Sequence, residues 1–329
     1  MCHHKIMDMM HRLDPELVPP LENLMAATGG GFSLRDIPAT RAMVDAMIAG
    51  VKAQVPPIEG VVAVDRTVPG PAGAPGVKIR HCRPAGRTEA LPVLVWMHGG
   101  GWVLGTVELD DLMARQLAKD VQCAVVSVEY RLAPEHPYPA ALEDCYAVVK
   151  WLVADGRSHG IDATRIAVGG ASAGGGLAAG LALLARDRGE VPLHFQLLIY
   201  PALNDRNVAQ VEEDVPENPF WSRENALRSW RAYLARAAAR DEVPAYAAPT
   251  RAGDLSGLAP AYIAAAGVDM FMPDNLDYAE RLTAAGVPTE LHLYPGAFHA
   301  FDAFAPMSRI AQQFVADRNG ALKRALSTE

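Results

Sequence analysis

Hydrophobic residues follow two different patterns after Gly86 in this chain. Short runs of consecutive apolar residues alternate with longer segments in which apolar residues recur every three or four positions. Continuous apolar runs are typical of strands that are buried on both faces of a parallel sheet, and the longer spacing is typical of helices that cover such a sheet. The predicted strands are Leu91 to Met97, Cys123 to Val128, Arg165 to Val168, Phe195 to Ile199, Ala261 to Ala265 and Thr289 to Tyr294. The predicted helices are Asp110 to Lys119, Ala140 to Ala154, Ser172 to Arg186, Pro273 to Ala285 and Ser308 to Leu326.

Two segments before Gly86 alternate instead between apolar and polar residues. Val61 to Val68 and Val77 to Arg83 are joined by a stretch rich in proline and glycine, which predicts an antiparallel hairpin at one edge of the sheet. Together with the six buried strands, this hairpin predicts an α/β fold with a mostly parallel sheet of eight strands.

Two further regions interrupt the alternation of strands and helices. Residues from Asp14 to about Val55 have helical spacing and precede the first strand. An insertion from about Asn204 to Arg251 carries one predicted helix, Ser222 to Ala238, with Ser222 as its N-cap. We therefore expect both regions to be helical additions to the sheet domain.

Composition narrows the classes of function. Half of the 329 residues are hydrophobic, which is enough for one large core, and the formal net charge of -8 is spread along the chain. A dispersed negative charge argues for solubility and against a nucleic-acid partner. No apolar run reaches the roughly 18 to 20 residues that a membrane span requires. Neither a zinc spacing nor a C-x-x-C pair occurs, so we expect free thiols, no metal site and a cytoplasmic protein; the cysteines are Cys2, Cys82, Cys123 and Cys145.

The first motif with chemical meaning is Gly170-Ala-Ser172-Ala-Gly174, which lies between a predicted strand and a predicted helix. This is the sequence of a nucleophile elbow, in which small residues two positions on either side allow the serine to turn sharply. Two alternatives remain. The glycines could merely allow the helix to pack closely on the sheet, and Gly174, Gly176 and Ala179 also satisfy a weak dinucleotide-binding pattern, although no ribose-binding acid follows the next strand.

A second glycine-rich motif, His98-Gly-Gly-Gly-Trp102, follows the strand that ends at Met97. Consecutive glycines cost conformational entropy, so a close approach of backbone to substrate is the usual reason for them. An oxyanion hole built from main-chain amides is such a case. The alternative is an ordinary tight turn, and His98 fits a role in bracing the loop better than a catalytic role.

An acid and a base are expected at the ends of later strands, because side chains converge at the carboxyl edge of a parallel sheet. Asp269 follows the strand that begins at Ala261, and His299 follows the last strand. The order serine, aspartate, histidine is the order that this type of fold imposes. In this interpretation Ser172 is the nucleophile, His299 the general base and Asp269 the acid that orients it. Asp274 is the rival acid, but it lies in the first turn of a predicted helix.

Four motifs together resemble those of the hormone-sensitive lipase-like branch of the α/β hydrolases, also called bacterial family IV esterases. They are His98-Gly-Gly-Gly-Trp102, Tyr130-Arg-Leu-Ala-Pro-Glu135, Gly170-Ala-Ser-Ala-Gly-Gly175 and Tyr294-Pro-Gly-Ala-Phe-His299. The resemblance implies an α/β-hydrolase fold and a serine carboxylesterase for short acyl chains or aryl esters, without a cofactor. It also implies an acyl-enzyme intermediate and, as in many relatives, a homodimer.

The resemblance further implies how the site and the domains are built. The oxyanion hole would be formed by the amides of Gly100, Gly101 and Ala173. A helical cap would comprise residues 1–55 and the insertion 204–251, over a catalytic domain of residues 56–203 and 252–329. The chain has Ala171 before the serine where many members of the family have aspartate or threonine, which leaves its substrate preference open.

Aromatic and apolar residues at strand ends and in the insertion are the candidates for contact with a small ester substrate. They are Trp102, Tyr130, Phe220, Trp221, Phe271 and Met272. Two other interpretations of the same motifs stay open. One is hydrolysis of amides, lactones or acetylated sugars by the same triad, and the other is a small-molecule receptor without turnover.

Overall fold

The computed structural model describes residues 10–206, 221–235 and 242–327, and its centre is a sheet of eight strands. In chain order the strands are β1 (Val61–Val68), β2 (Val77–Pro84), β3 (Leu91–Met97), β4 (Ala124–Glu129), β5 (Ile161–Ala171), β6 (Phe195–Ile199), β7 (Ala261–Val268) and β8 (Thr289–Phe298). Their order in space is β1-β2-β4-β3-β5-β6-β7-β8. Strand β2 is antiparallel to β1 and β4, and all other neighbours are parallel. The predicted eight-stranded α/β fold is thus confirmed.

Every residue of β3 is buried, which explains why this strand is a continuous apolar run in the sequence. Strand β5 is longer than predicted at both ends: it begins at Ile161, which pairs with Leu91, and Gly169 and Gly170 continue its pairing opposite Trp96 and Met97. A Cβ atom at Gly169 would lie 2.9 Å from the Leu197 side chain, so glycine is needed here for close packing rather than for a turn.

Nine α-helices occur among the described residues. They are α1 (Val18–Ala27), α2 (Ile37–Gln54), α3 (Asp111–Val121), α4 (Ala140–Asp155), α5 (Ala173–Arg188), α6 (Arg223–Leu234), α7 (Met272–Ala284), α8 (Phe301–Phe304) and α9 (Arg309–Leu326). The helix predicted from Ser222 to Ala238 ends at Leu234, because Ala235 has a positive φ of 47°; residues 236–238 lie outside the described residues. The short helix α8 has no counterpart in the prediction.

Helices cover both faces of the sheet. Side chains of α1, α3 and α9 pack on one face, including Leu21, Leu117 and Phe314. Side chains of α4 and α5, among them Leu142 and Leu181, pack on the other. The result is the three-layer arrangement that a buried parallel sheet requires. Within the described parts of the chain, no helix is both long and apolar enough to cross a bilayer.

Helix α6 is tied to the segment between α1 and α2. The Asn225 side chain accepts a hydrogen bond from the Leu34 amide at 2.9 Å and donates one to the Phe32 carbonyl at 2.8 Å. An exposed ion pair between Arg35 and Glu224 lies beside them. Two segments that are almost 200 positions apart in sequence therefore contact each other.

Three of the four cysteines lie in the described part of the chain. Cys82, Cys123 and Cys145 are buried free thiols. Burial raises the pKa of Cys82 to about 11 and that of Cys123 to about 12, so neither is ionised at neutral pH. These thiols therefore pack as small apolar side chains. Cys2 lies outside the described residues.

Candidate active site

Ser172 occupies the sharp turn between β5 and α5, with a φ of 57°. A Cβ atom at Gly170 would lie 2.3 Å from the Gly174 carbonyl carbon, and one at Gly174 would lie 2.0 Å from the Met97 carbonyl oxygen. Only glycine fits at either position. The backbone of Ser172 is therefore held in a strained conformation by its surroundings, as in a nucleophile elbow.

The side chains of Ser172, His299 and Asp269 form one hydrogen-bonded chain. His299 Nε2 lies 2.9 Å from Ser172 Oγ, and His299 Nδ1 lies 2.6 Å from Asp269 Oδ2. All three residues are buried. The Phe271 amide donates to the second oxygen of Asp269 at 3.3 Å, which fixes the carboxylate. Such a chain can move a proton from a hydroxyl to an imidazole whose tautomer is set by the carboxylate.

The rival acid Asp274 lies in the first turn of α7 and accepts a hydrogen bond from Asn204 Nδ2 at 2.9 Å. Asp269 holds the only carboxylate oxygen that contacts His299 in the described part of the chain. Two rings pack edge-on against the imidazole, Tyr200 at 4.8 Å and Phe271 at 5.2 Å between ring centres. The position of the imidazole is thus constrained by both hydrogen bonding and packing.

The loop after β3 brings free amides next to Ser172. Gly100 and Gly101 both have positive φ, 109° and 62°, and a Cβ atom at Gly100 would lie 2.4 Å from the Leu104 carbonyl oxygen. The amides of Gly100, Gly101 and Ala173 donate no hydrogen bond to another described residue. Ala173 is also the first residue of α5, where the helix dipole favours negative charge. These three amides can stabilise an oxyanion.

His98 braces this loop. Its ring stacks on Tyr130 with 4.3 Å between ring centres, its Nδ1 lies 2.7 Å from the Gly99 carbonyl, and the Tyr130 hydroxyl donates to the His98 carbonyl at 2.7 Å. Burial lowers the pKa of His98 to about 4, so the ring is neutral at physiological pH. His98 therefore serves the loop as a fixed packing group.

A cavity of about 360 Å³ opens beside Ser172 and His299. Its lining is of mixed polarity. Helix α2 contributes the apolar residues Val44, Met47, Ile48 and Val51. Polar residues also line the cavity, among them Trp96, Asp110, Tyr200, Asp302 and Arg318.

Comparison with known proteins places this geometry in a family. A sequence profile of the α/β hydrolase fold matches residues 94–303, which include Ser172, Asp269 and His299. The chain is a hormone-sensitive lipase-like α/β hydrolase.

Similar proteins of this hydrolase family are named as esterases. Esterase LipI of Mycobacterium tuberculosis is 42% identical over 243 residues, covering 74% of this chain and 75% of LipI. Carboxylesterase NlhH of the same organism is 42% identical over 265 residues, covering 80% and 82%. The solved structure of a bacterial heroin esterase superposes with a TM-score of 0.90 at 40% identity, covering 97% of this chain and 99% of that one. The hydrolase described here is accordingly a serine carboxylesterase, a carboxylic-ester hydrolase.

The predicted substrate-contact residues of this esterase differ in whether they line the cavity. Trp221 lines the cavity. Trp102 and Tyr130 are not among the residues that line it: Trp102 stacks on Tyr233 at 4.5 Å, and Tyr130 stacks on His98. Both rings are buried in the core, and their contact with substrate stays a prediction.

The remaining three candidates differ in how they are placed. Phe271 packs edge-on against the His299 imidazole, and Met272 begins α7. Neither is among the residues that line the cavity, and their contact with substrate stays a prediction. Phe220 lies outside the described residues.

Sequence reasoning missed most of the cavity lining. The apolar face of α2 was visible as a helical pattern, but nothing in the pattern shows that it covers Ser172. The polar group Asp110, Tyr200, Asp302 and Arg318 carried no signal, because charged residues at helix ends are usually solvated.

Proposed function

We propose that Ser172 is the nucleophile of this carboxylesterase, His299 its general base and Asp269 the residue that orients His299. The hydrogen-bonded chain through His299, with 2.9 Å to Ser172 Oγ and 2.6 Å to Asp269 Oδ2, is the observation that supports these roles. Ser172 Oγ attacks the ester carbonyl carbon while its proton moves to His299 Nε2. The imidazolium then gives that proton to the leaving alkoxide, and an acyl-enzyme remains.

Deacylation reverses the same proton movements. Water gives a proton to His299 Nε2 and attacks the acyl carbon, and the imidazolium returns the proton to Ser172 Oγ as the acid departs. In both steps the carbonyl oxygen carries negative charge. The free amides of Gly100, Gly101 and Ala173 are proposed to bind this oxygen.

Short-chain acyl or aryl esters are the proposed substrates. A cavity of about 360 Å³ lies at the lower end of the range for small-molecule sites, which favours a small ester over a long-chain lipid. The side chains of α2 and Trp221 offer an apolar wall for an acyl chain or aromatic ring.

Covalent labelling tests the roles directly. A fluorophosphonate should label the wild-type protein and Asp274→Asn, but not Ser172→Ala, and 4-nitrophenyl acetate turnover should be lost only in Ser172→Ala. Circular dichroism checks that each variant is folded. Full turnover in folded Ser172→Ala would end the proposal. A series of 4-nitrophenyl esters from acetate to dodecanoate then ranks the acyl chains, and we expect kcat/KM to decline beyond about eight carbons.

The division into cap and catalytic domain is part of the same proposal. Contacts of Asn225 with Phe32 and Leu34 support a cap formed jointly by residues 1–55 and 204–251 over the catalytic residues 56–203 and 252–329. A cytoplasmic location stays a prediction.

A homodimer is proposed through the edge strand β8. Among the described residues this strand pairs only with β7, its side chains Leu291 and Leu293 are exposed, and a groove of about 740 Å³ runs beside it. Sedimentation analysis should show a dimer that Leu293→Lys converts to a monomer. The matched control Val62→Lys, on the opposite edge strand β1, should remain a dimer. A monomeric wild type would refute the proposal.

A further inference from the structure

Three charged side chains from three separate parts of the chain line the cavity beside Ser172. Asp110 precedes α3, Asp302 lies in α8, and Arg318 lies in α9. They share the cavity with Ser172, His299 and the apolar residues of α2. The proposed mechanism uses none of the three.

Each carboxylate of this group has one side-chain donor. Trp96 Nε1 donates to Asp110 Oδ2 at 2.8 Å, and the Tyr200 hydroxyl donates to Asp302 Oδ1 at 2.7 Å. The other oxygen of each accepts from no further side chain in the described residues. Asp110 is also the N-cap of α3, where aspartate normally bonds to the helix amides, yet its side chain makes no capping bond. Its carboxylate is directed to Trp96 and the cavity instead.

Arg318 supplies an independent indication of a ligand. The residue is 3% exposed, and its Nε and Nη2 donate only to Asn319 Oδ1, at 3.1 and 3.0 Å. Nη1 has no partner in the described part of the chain, and no ion pair within 4.0 Å joins the guanidinium to either aspartate there. Buried charges are normally paired, so three charged groups around one cavity without mutual ion pairs indicate a missing partner.

The surroundings of the two acids agree with this interpretation. Burial raises the pKa of Asp110 to about 6 and also raises the pKa of Asp302, because no nearby cation fully compensates their charge. A hydrogen-bond donor placed between them would supply that compensation. An acceptor group would find only Arg318.

The position of these charged residues relative to His299 indicates which portion of a bound ester would reach them. His299 Nε2 must protonate the leaving oxygen, so the alcohol portion of the ester lies on the histidine side. Asp302 lies three residues after His299, and Tyr200 contacts both the His299 ring and the Asp302 carboxylate. The alcohol portion therefore extends towards Asp302 and Asp110.

We infer that Asp110, Asp302 and Arg318 form a polar subsite that selects esters whose alcohol portion carries a hydrogen-bond donor, a hydroxyl or an ammonium group. The inference rests on the proposed function, because it requires the ester carbonyl to lie at Ser172. Such a subsite discriminates strongly, since an alcohol without the donor leaves buried polar groups unpaired.

Matched acetate esters test the subsite. Pentyl acetate, 4-hydroxybutyl acetate and 4-aminobutyl acetate have alcohol portions of equal length that end in a methyl, a hydroxyl or an ammonium group, and a pH-stat follows acid release at pH 7. We expect the ratio of kcat/KM for a donor-bearing ester to that for pentyl acetate to fall about 10-fold or more in Asp110→Asn and Asp302→Asn. The ratio within each variant removes any general change in activity. The donor group whose ester shows the larger fall in this kcat/KM ratio is the group that the subsite prefers.

Two controls keep the outcomes distinct. Asp45→Asn removes the same charge from an exposed position on α2 and should leave the ratio unchanged. The second control is a pair of esters with the hydroxyl on the acyl portion, methyl 6-hydroxyhexanoate and methyl heptanoate. Their kcat/KM ratio should be the same in every variant. An unchanged ratio in both aspartate variants, or a change confined to the acyl pair, overturns the inference. If wild type hydrolyses none of these esters and resists fluorophosphonate, the proposed function itself has failed.

Product inhibition tests the subsite without any substitution. Butane-1,4-diol and 4-aminobutan-1-ol should inhibit the wild-type enzyme at lower concentration than pentan-1-ol, because they place a donor where pentanol places a methyl. Stronger inhibition by pentanol than by both donors would contradict the subsite.

Discussion

At the scale of single residues, the contrast between Asp269 and Asp274 is the most informative. Both are buried acids after β7, but Asp269 bonds to His299 and the Phe271 amide, whereas Asp274 bonds to Asn204. An asparagine at 269 would keep the shape of the site but favour the wrong imidazole tautomer. The same change at 274 would leave the imidazole contacts intact.

Asp269→Asn should therefore lower kcat for 4-nitrophenyl acetate by up to about 10⁴, by analogy with serine proteases. Asp274→Asn should stay within about 10-fold of wild type, because His299 keeps its partner. Stopped-flow and steady-state rates at pH 8 would measure both. A near-silent Asp269→Asn would transfer the orienting role to another acid.

For Asp110 we expect a substitution to stabilise the folded protein. Its pKa is raised from 3.8 to about 6, so the folded protein holds this proton at pH values where the unfolded chain has lost it. The stabilisation is complete below pH 3.8 and is lost as pH rises through 6, where the buried carboxylate must ionise. Asp110→Asn keeps an acceptor for Trp96 without the charge. It should raise the unfolding free energy at pH 7 by about 1 to 2 kcal/mol.

Urea unfolding from pH 4 to pH 8 would check this expectation. The gain in Asp110→Asn should shrink as the pH falls from 6 to 4. A variant that is equally destabilised at all pH values would show that the Trp96 contact matters more than the charge.

At the scale of elements, helix α2 fastens the glycine loop. Arg41 donates from Nε to the Val103 carbonyl at 2.8 Å and from Nη2 to the Ala133 carbonyl at 2.9 Å, and it pairs with Glu135. Val103 lies two residues after Gly101. A helix that precedes the sheet in the chain thus holds the loop that carries two proposed oxyanion donors.

Arg41→Met should lower kcat more than it raises KM, since it frees the loop rather than removing a substrate contact. Loss of two hydrogen bonds from a charged donor should cost about 1 to 3 kcal/mol in unfolding free energy. Arg35→Met is the control, because its exposed ion pair with Glu224 is worth at most about 1 kcal/mol. Equal effects of both variants would contradict a specific role for Arg41.

Gly101 and Trp221 lie in direct contact across the cleft. A Cβ atom at Gly101 would lie 2.5 Å from the Trp221 ring, and its φ of 62° adds backbone strain. Gly101→Ala should lower kcat/KM by about 10² or more, since the loop must shift its amides. Adding Trp221→Ala should restore part of that loss. If the double variant is no better than the single one, backbone strain alone explains the effect.

At the scale of the whole molecule, burial decides what could be predicted from the sequence. The bounds of β3 and β6 were predicted correctly because both strands are buried along their whole length and, apart from Gln196, apolar. The carboxyl end of β5 was predicted too early because its glycines look like a turn. The order of Ser172, Asp269 and His299 could be predicted because a parallel sheet gathers its strand ends at one edge.

Other parts of the site depend on packing that has no local signal. Asp110, Asp302 and Arg318 are far apart in the chain, and only the packing of α3, α8 and α9 brings them to one cavity. Trp102 is an aromatic residue at a strand end, which is typical of a pocket residue, but its ring packs in the core against Trp230 and Tyr233. Where such a side chain packs depends on the tertiary structure.

Two buried histidines, His81 in β2 and His98, predict how the molecule responds to acid. Burial lowers the pKa of each to about 4 from 6.5, so the unfolded chain takes up protons that the folded protein does not. Stability is therefore complete above pH 6.5 and is lost as the pH falls towards 4, by about 1.4 kcal/mol per pKa unit for each ring. Asp110 opposes this trend over part of the range.

His81→Phe should flatten the dependence of the unfolding free energy on pH between 6.5 and 4, because one of the two rings no longer takes up a proton in the unfolded chain. Urea titrations at half-unit pH intervals would measure the slope. A slope identical to that of wild type would show that His81 is already protonated in the folded protein.

The placement of the tryptophans gives the molecule an optical property. Trp96 and Trp221 line the cavity, and Trp102 and Trp230 pack against each other with tilted rings, 4.3 Å between ring centres. Only Trp151, beside His159, lies elsewhere among the five tryptophans of the chain. Intrinsic fluorescence should therefore report the arrangement of α6 over the cleft, so that an alcohol entering the cavity changes the emission spectrum of the unlabelled protein.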